Sequence, residues 1–114
     1  MTKVVVVRRQ GSIVSVECSG HSGYADEGAD IVCAGLSSIV QTAALGLIKT
    51  AGADNIAYSV DSDRGYLKIV VRDISDTDKR HDCDVILDTM LLGVEDYAEG
   101  LPKFVSLEVK EDVY

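Results

Sequence analysis

Five short stretches of the chain predict β-strands: the first is rich in valine, and the second, fourth and fifth alternate apolar and polar positions with a period of two. These stretches are residues 3–9, 12–18, 56–61, 66–72 and 103–110. Gln10-Gly11 separates the first two stretches and predicts a tight turn, and residues 62–65 predict a turn between the next two. The pattern therefore predicts two β-hairpins and one later strand.

A longer segment with apolar residues three and four positions apart predicts a first amphipathic helix. Its apolar stripe consists of Val32, Leu36, Ile39, Val40, Ala43, Leu47 and Ile48. Asp30 precedes the stripe and is a suitable N-cap, because a carboxylate there accepts from main-chain amides of the first turn. We predict a helix from Asp30 to about residue 50, with Gly52 as its C-cap.

A second helical stripe follows a loop and cap region at residues 73–78. The stripe consists of Ile86, Leu87, Met90, Leu91, Val94 and Ala98. We predict that this helix ends near Gly100, because Pro102 prevents its continuation. The order ββαββαβ predicts an α+β two-layer sandwich, with an antiparallel or mixed sheet and two helices on one face. Its 114 residues predict a single domain over residues 1–114.

Charge and composition narrow the classes of function. The chain has 19 acidic and 11 basic residues and a formal net charge of −8. This charge argues against direct nucleic-acid binding and favours a basic partner or substrate. We identify no secretion signal and no run approaching the length of a membrane span, and therefore expect a cytoplasmic protein with no membrane partner.

The three cysteines do not suggest a disulfide framework, because their number is odd and their spacing is irregular. Cys18 ends a predicted strand and is interpreted as a small, buried or half-buried residue. His81-Asp82-Cys83 could join His21 and Cys33 in a zinc site, but no closely spaced ligand pair anchors such a set. We interpret residues 81–83 as a solvated helix start and expect neither a metal nor a cofactor.

The chemistry of the chain is predicted where a glycine-rich loop runs into the first helix. With Asp30 as N-cap, Cys33 is the third helical residue, where the helix dipole favours thiolate over thiol. His21 lies twelve residues before Cys33, and the intervening glycines allow the loop to bring the imidazole beside the sulfur. The two residues could form a nucleophile and base, with main-chain amides near Cys33 as oxyanion donors. The alternative is a loop histidine and a small buried cysteine.

The loop from Ser19 to Ala29 has two interpretations: a long surface connection, or a lid that becomes ordered around a bound peptide. Its candidate substrate-binding residues are Gly20, Ser22, Gly23, Tyr24 and Gly28. On the helix that follows, Ser37 and Gln41 continue the line of Cys33 at intervals of four. That polar line could border a cleft or form the solvated flank of the helix.

Two motifs, Gly20-His21 and Asp30-Ile31-Val32-Cys33-Ala34, resemble the ribosomal-processing cysteine proteases of bacteria. The resemblance extends at lower density to Ser37, Gln41, Thr42, Leu92-Gly93 and Pro102. The family more usually has Ala after the His, and another small residue or Val within the Cys-Ala-x-x-Ser segment. This chain has Ser22, Gly35 and Leu36 there. These departures leave the reactive positions intact and concern the shape of the pocket.

The resemblance implies the same element order and an endopeptidase with His21 and Cys33 as catalytic residues. Asp30 could orient His21 as well as cap the helix, and Ser37 could line the site or cover the helix flank. The implied substrate is a basic protein, large-subunit ribosomal protein number twenty-seven, from which an N-terminal extension is removed, with aromatic residues preferred before the scissile bond. The resemblance also implies a homodimer. The alternative function is a non-catalytic, ribosome-associated module that binds a protein on its exposed sheet face.

Overall fold

A computed structural model of the protein describes residues 1–20 and 31–112. Its elements in chain order are β1 (Thr2–Arg9), β2 (Ser12–Ser19), α1 (Ile31–Ala51), a 3₁₀ helix (Ala53–Asn55), β3 (Ile56–Asp61), β4 (Tyr66–Val71), α2 (Thr77–Gly100) and β5 (Val105–Glu111). The predicted α+β class and the order ββαββαβ are confirmed. The 3₁₀ turn was not predicted.

The five strands form one mixed sheet in the order β3-β4-β2-β1-β5. The two hairpins, β1–β2 and β3–β4, are antiparallel as predicted, and β2 joins them by pairing antiparallel with β4. The last strand pairs parallel with the first, from Thr2 opposite Val105 to Arg8 opposite Glu111. The two edges of the sheet are therefore β3 and β5.

The core lies between one face of the sheet and the two helices. Its largest fully buried side chains are Ile13, Leu36, Leu47, Ile69, Leu87, Val4, Val6, Val16, Val40, Val94, Val105 and Cys83. Val4, Val16 and Ile69 share a face of the sheet because they occupy alternate positions on paired strands. Both helices pack on this face and against each other, so the fold has two layers.

Helix α1 begins at Ile31 and ends at Ala51, within one residue of its predicted bounds. Gly52 follows it with a φ of 89°, and its N–H donates to Ile48 O at 2.8 Å. By length and composition alone, α1 could cross a membrane. The expectation that no run approaches the length of a membrane span is therefore wrong for α1. Its stripe is buried in the core, with Leu36 and Leu47 among the largest enclosed side chains, as in a core helix.

Helix α2 begins at Thr77, well before its predicted apolar stripe. The Asp76 side chain is the N-cap and accepts from Asp78 N at 3.0 Å and Lys79 N at 3.1 Å. The interpretation of residues 81–83 as a solvated helix start is wrong for Cys83, which is fully buried. Cys83 lies four residues before buried Leu87, so it extends the same stripe towards the helix start.

Candidate active site

Three of the predicted site residues, Gly20, Cys33 and Ser37, belong to the part of the chain that the structure describes. The other predicted site residues lie outside it. They are His21, Ser22, Gly23, Tyr24, Gly28 and Asp30. The pairing of His21 with Cys33 and the two interpretations of the loop from Ser19 to Ala29 therefore remain predictions.

Cys33 lines a cleft of about 180 Å³ between α1 and one end of the sheet. Three parts of the fold form its walls: the first half of α1, the ends of β1 and β2, and the β3–β4 hairpin. Its lining residues are Thr2, Cys18, Gly20, Cys33, Leu36, Ser37, Gln41, Val60, Asp61, Ser62, Gly65, Tyr66 and Leu67. The cleft therefore joins residues that are far apart in the sequence.

Helix α1 contributes a line of polar side chains to the cleft. Cys33 is the third residue of the helix, and Ser37 and Gln41 follow one and two turns later on the same side. All three line the cleft, so the polar line borders a cleft instead of forming only a solvated flank. Cys33 also lies in the first turn, where main-chain N–H groups have no partner within the helix and the dipole is positive.

Gly20, the last residue of the first described range, has a constrained backbone. Its φ is 85°, a left-handed conformation, and its N–H donates to Gly65 O at 2.9 Å. The Thr2 hydroxyl donates to Gly20 O at 3.4 Å. A Cβ at this position would lie 2.6 Å from Met1 O. The chain therefore leaves β2 at a geometry that glycine satisfies and an L side chain does not.

Cys18 is a second thiol in the cleft, half-buried as predicted. Burial raises its pKa to about 12, and electrostatic interactions with Cys33 and Glu17 add to the effect. Cys18 therefore remains a neutral thiol at neutral pH, with little of the thiolate character that nucleophilic attack requires. Of these two thiols, Cys33 is the one placed at a helix N-terminus.

The β3–β4 hairpin forms the opposite wall. Tyr66 donates its hydroxyl to Glu17 Oε2 at 2.9 Å, a hydrogen bond that is the main reason its pKa is raised. The Arg64 guanidinium lies 5.8 Å from the Tyr66 ring centroid, a cation–π distance. Lys68 Nζ lies 3.7 Å from the same Glu17 oxygen. The side chains of Tyr66, Glu17 and Lys68 lie on the sheet face opposite α1, because they alternate with Leu67 and Cys18 on the core face. These contacts therefore tie β4 to β2 behind the cleft.

An apolar portion of the cleft lies between the helix and this hairpin, formed by Leu36, Val60 and Leu67. Sequence reasoning missed the hairpin residues altogether, because nothing in the local pattern shows that β4 pairs with β2 and so brings the hairpin beside Cys33. Within residues 1–20 and 31–112, no three His, Cys, Asp or Glu side chains are grouped as metal ligands. The described chemistry of the cleft is therefore that of a thiol with apolar and hydroxyl neighbours.

A thiol in the first turn of a helix, at the wall of a cleft, is an arrangement typical of cysteine-dependent enzymes. The family model described as Cysteine protease Prp matches residues 1–106, and the chain belongs to that family. The chain is thus a cysteine protease by family. This result favours an enzyme over the alternative of a non-catalytic binding module.

Known proteins agree with this assignment. The ribosomal processing cysteine protease Prp of Bacillus subtilis (strain 168) is 29% identical over 93 residues, covering 78% of this chain and 82% of that protein. The crystal structure of SMU.848 from Streptococcus mutans is 31% identical, with a TM-score of 0.80, over 98% of this chain and 96% of that one. An essential ribosomal processing protease Prp from S. aureus, solved with a covalently linked product peptide, shares the fold. Its TM-score is 0.81 at 24% identity, over 96% of this chain and all of that one.

Proposed function

We propose that this protein is an endopeptidase that removes an N-terminal extension from a basic ribosomal protein, with Cys33 as nucleophile and His21 as base. The observation that carries the proposal is the position of Cys33, in the first turn of α1 and facing the cleft with Ser37 and Gln41. The related S. aureus structures, solved with a substrate peptide and with a covalently linked product peptide, support a peptide as the ligand of this cleft.

In the proposed reaction, Cys33 Sγ attacks the carbonyl carbon of the scissile peptide bond, and the thiol proton passes to the His21 imidazole. Main-chain N–H groups in the first turn of α1 donate to the developing oxyanion. The amide C–N bond then breaks, His21 gives its proton to the leaving amine, and a thioester remains on Cys33. Water, deprotonated by His21, hydrolyses the thioester and releases the thiol. Asp30 would cap the helix or orient His21, and Ser37 lines the cleft.

The proposed substrate is large-subunit ribosomal protein number twenty-seven carrying an N-terminal extension. Two properties of this chain support it. A net charge of −8 attracts a basic protein and accelerates its association at low salt. The apolar portion of the cleft, formed by Leu36, Val60 and Leu67, suits an aromatic side chain next to the scissile bond.

We further propose that the protein is a cytoplasmic homodimer. Four large apolar side chains on the two helices are exposed: Ile31, Leu45, Val85 and Leu92, each at 52% or more. Burial of such residues between two copies would be favourable, since each apolar side chain removed from water stabilises association. Sedimentation equilibrium over a range of protein concentrations tests the dimer, and a single monomeric mass throughout would exclude it.

The decisive experiment is incubation with a peptide that spans the proposed extension, followed by mass spectrometry. We expect one cleavage in the wild type and none in Cys33→Ala or Cys33→Ser, with a small change in thermal midpoint because Cys33 is only half-buried. Retained turnover in Cys33→Ala would exclude Cys33 as the nucleophile. His21→Ala should lower the turnover by about 10²–10⁴-fold, the range for loss of a general base.

A further inference from the structure

We propose that the peptide substrate binds as an added β-strand on the outer edge of β3, through the main-chain groups of Tyr58 and Val60. This inference rests on the proposed function, because it assumes that the scissile bond is delivered to Cys33. It adds how the substrate is held: by main-chain hydrogen bonds to a sheet edge, a common mode of peptide recognition.

The main-chain hydrogen-bonding groups of β3 alternate between facing β4 and facing away from it. Arg72 N donates to Asn55 O at 2.9 Å, and these two residues are opposite each other one position beyond the pair Ile56 and Val71. In antiparallel strands, hydrogen-bonded and non-hydrogen-bonded pairs alternate. The pairs of Tyr58 with Ile69 and of Val60 with Leu67 are therefore non-hydrogen-bonded. Tyr58 and Val60 therefore direct their main-chain N–H and C=O groups away from β4, towards the outer edge of the sheet.

The outer edge of β3 consists mainly of uncharged residues. Among the described strands, β3 has β4 as its one neighbour, so its outer main-chain groups face outward. Proteins usually protect such edges with charged residues or proline. Strand β5, on the opposite edge, carries Glu108, Lys110 and Glu111, whereas Asp61, at the end of β3, is the single charged residue of that strand. The β3 edge is therefore the less protected of the two.

The outer edge of β3 is continuous with the cleft that Cys33 lines. Val60, Asp61 and Ser62 line the same cleft as Cys33, and Val60 is 47% exposed at the edge. A peptide paired with Tyr58 and Val60 would advance about 3.3 Å per residue and enter the cleft at Val60. Its alternate side chains would point to the sheet face that carries Val60 and Leu67, next to the apolar portion of the cleft.

The chain offers a matched pair of substitutions, Val60→Pro and Val109→Pro. In the parallel pair β1–β5, Thr2 N donates to Phe104 O and Asp112 N donates to Arg8 O. The main-chain N–H and C=O groups of the even-numbered residues of β5 therefore face β1. Val109 therefore directs its N–H outward, as Val60 does, and the two side chains are similarly exposed, at 44% and 47%. Proline at such edge positions removes no hydrogen bond of the sheet.

We expect Val60→Pro to raise KM and lower kcat/KM for the peptide by roughly tenfold, the combined effect of one lost hydrogen bond, added steric hindrance and the changed side chain in the apolar portion of the cleft. Val109→Pro should retain the wild-type constants, and both variants should keep the circular dichroism spectrum of the wild type. Equal kinetic constants in Val60→Pro and Val109→Pro would overturn the edge-binding proposal while leaving the proposed function intact. If the wild type cleaves no peptide, the proposed function fails, and this inference fails with it.

A second measurement needs no variant of the protein and decides the case if Val60→Pro does not fold. A series of substrate peptides, each with one main-chain N-methyl group, is assayed with the wild type. Strand pairing predicts that kcat/KM falls at every second position on one side of the scissile bond, because alternate N–H groups face β3. A loss without this alternation, or no loss at all, would contradict binding as an added strand.

Discussion

Replacement of Gly20 by alanine tests the link between the sheet and the segment that carries His21. Two effects act on the new Cβ. The residue has a φ of 85°, where an L side chain costs about 1–2 kcal/mol. The Cβ would also lie 2.6 Å from Met1 O, which is main chain. Met1 O belongs to the same peptide group as Thr2 N, whose hydrogen bond to Phe104 O at 2.9 Å resists its movement.

Gly11→Ala is the control, because Gly11 has nearly the same φ, 84°, and no atom within 4 Å of the added Cβ. Gly11→Ala should therefore show the conformational cost alone, about 1–2 kcal/mol. Gly20→Ala should show the same cost plus about 1–3 kcal/mol for the steric overlap. The difference between the two variants isolates the contact with Met1.

Urea denaturation followed by circular dichroism measures both free energies of unfolding. For a slope of about 1–3 kcal/mol per molar urea, the Gly20→Ala midpoint should lie roughly 1 M below that of Gly11→Ala. Peptide turnover at low urea should also fall more in Gly20→Ala, because the segment that follows leaves β2 at this residue. Equal destabilisation of the two variants would refute the argument that Met1 constrains Gly20.

Three further predictions concern α1 and its neighbours. Gly35→Ala should destabilise the fold by about 1–3 kcal/mol, because its Cβ would overlap the Tyr97 hydroxyl and lie 3.1 Å from Tyr97 Cζ. Adding Tyr97→Phe to the same chain should restore part of the lost stability, as measured by thermal denaturation. Leu47→Ala, at a fully buried position, should cost about 2–5 kcal/mol, whereas Leu45→Ala on the same helix, 65% exposed, should change the urea midpoint little. The raised pKa of Cys18 predicts that its contribution to the free energy of unfolding is fully present below about pH 9 and is lost as the pH rises towards 12. Cys18→Ala should therefore reduce the fall in the free energy of unfolding over this pH range. An unchanged fall would contradict the burial of this thiol.

The hydrophobic pattern predicted the elements well because each strand or helix buries one face. Helix α1 follows its stripe closely, and the β1–β2 hairpin turns at Gln10 and Gly11, both with positive φ. The strand predicted to begin at residue 103 begins at Val105, because Phe104 N donates back to Leu101 O at 3.0 Å in a turn. The burial of Cys83 was missed, although its spacing from Leu87 is a signal of the same kind.

The composition of the cleft was less predictable than the elements. The local sequence predicted that Cys33 and Ser37 lie on one side of a helix, because residues four apart share a helix face. Tyr66 belongs to the lining of the cleft because β2 pairs with β4. That pairing joins distant parts of the chain, and nothing in the local sequence indicates it. The parallel pairing of β5 with β1 is equally non-local.

The position of Thr2 has a practical consequence for the handling of this protein. Thr2 lines the cleft at one end of β1, while Asp112 N bonds to Arg8 O near the other end of that eight-residue strand, about 20 Å away at the usual rise per residue. An affinity tag or fusion partner joined before Thr2 would emerge beside the mouth of the cleft and compete with peptides for it. The same tag joined after Asp112 would emerge at the far end of the sheet, so immobilisation through the carboxyl side leaves the cleft accessible to substrate.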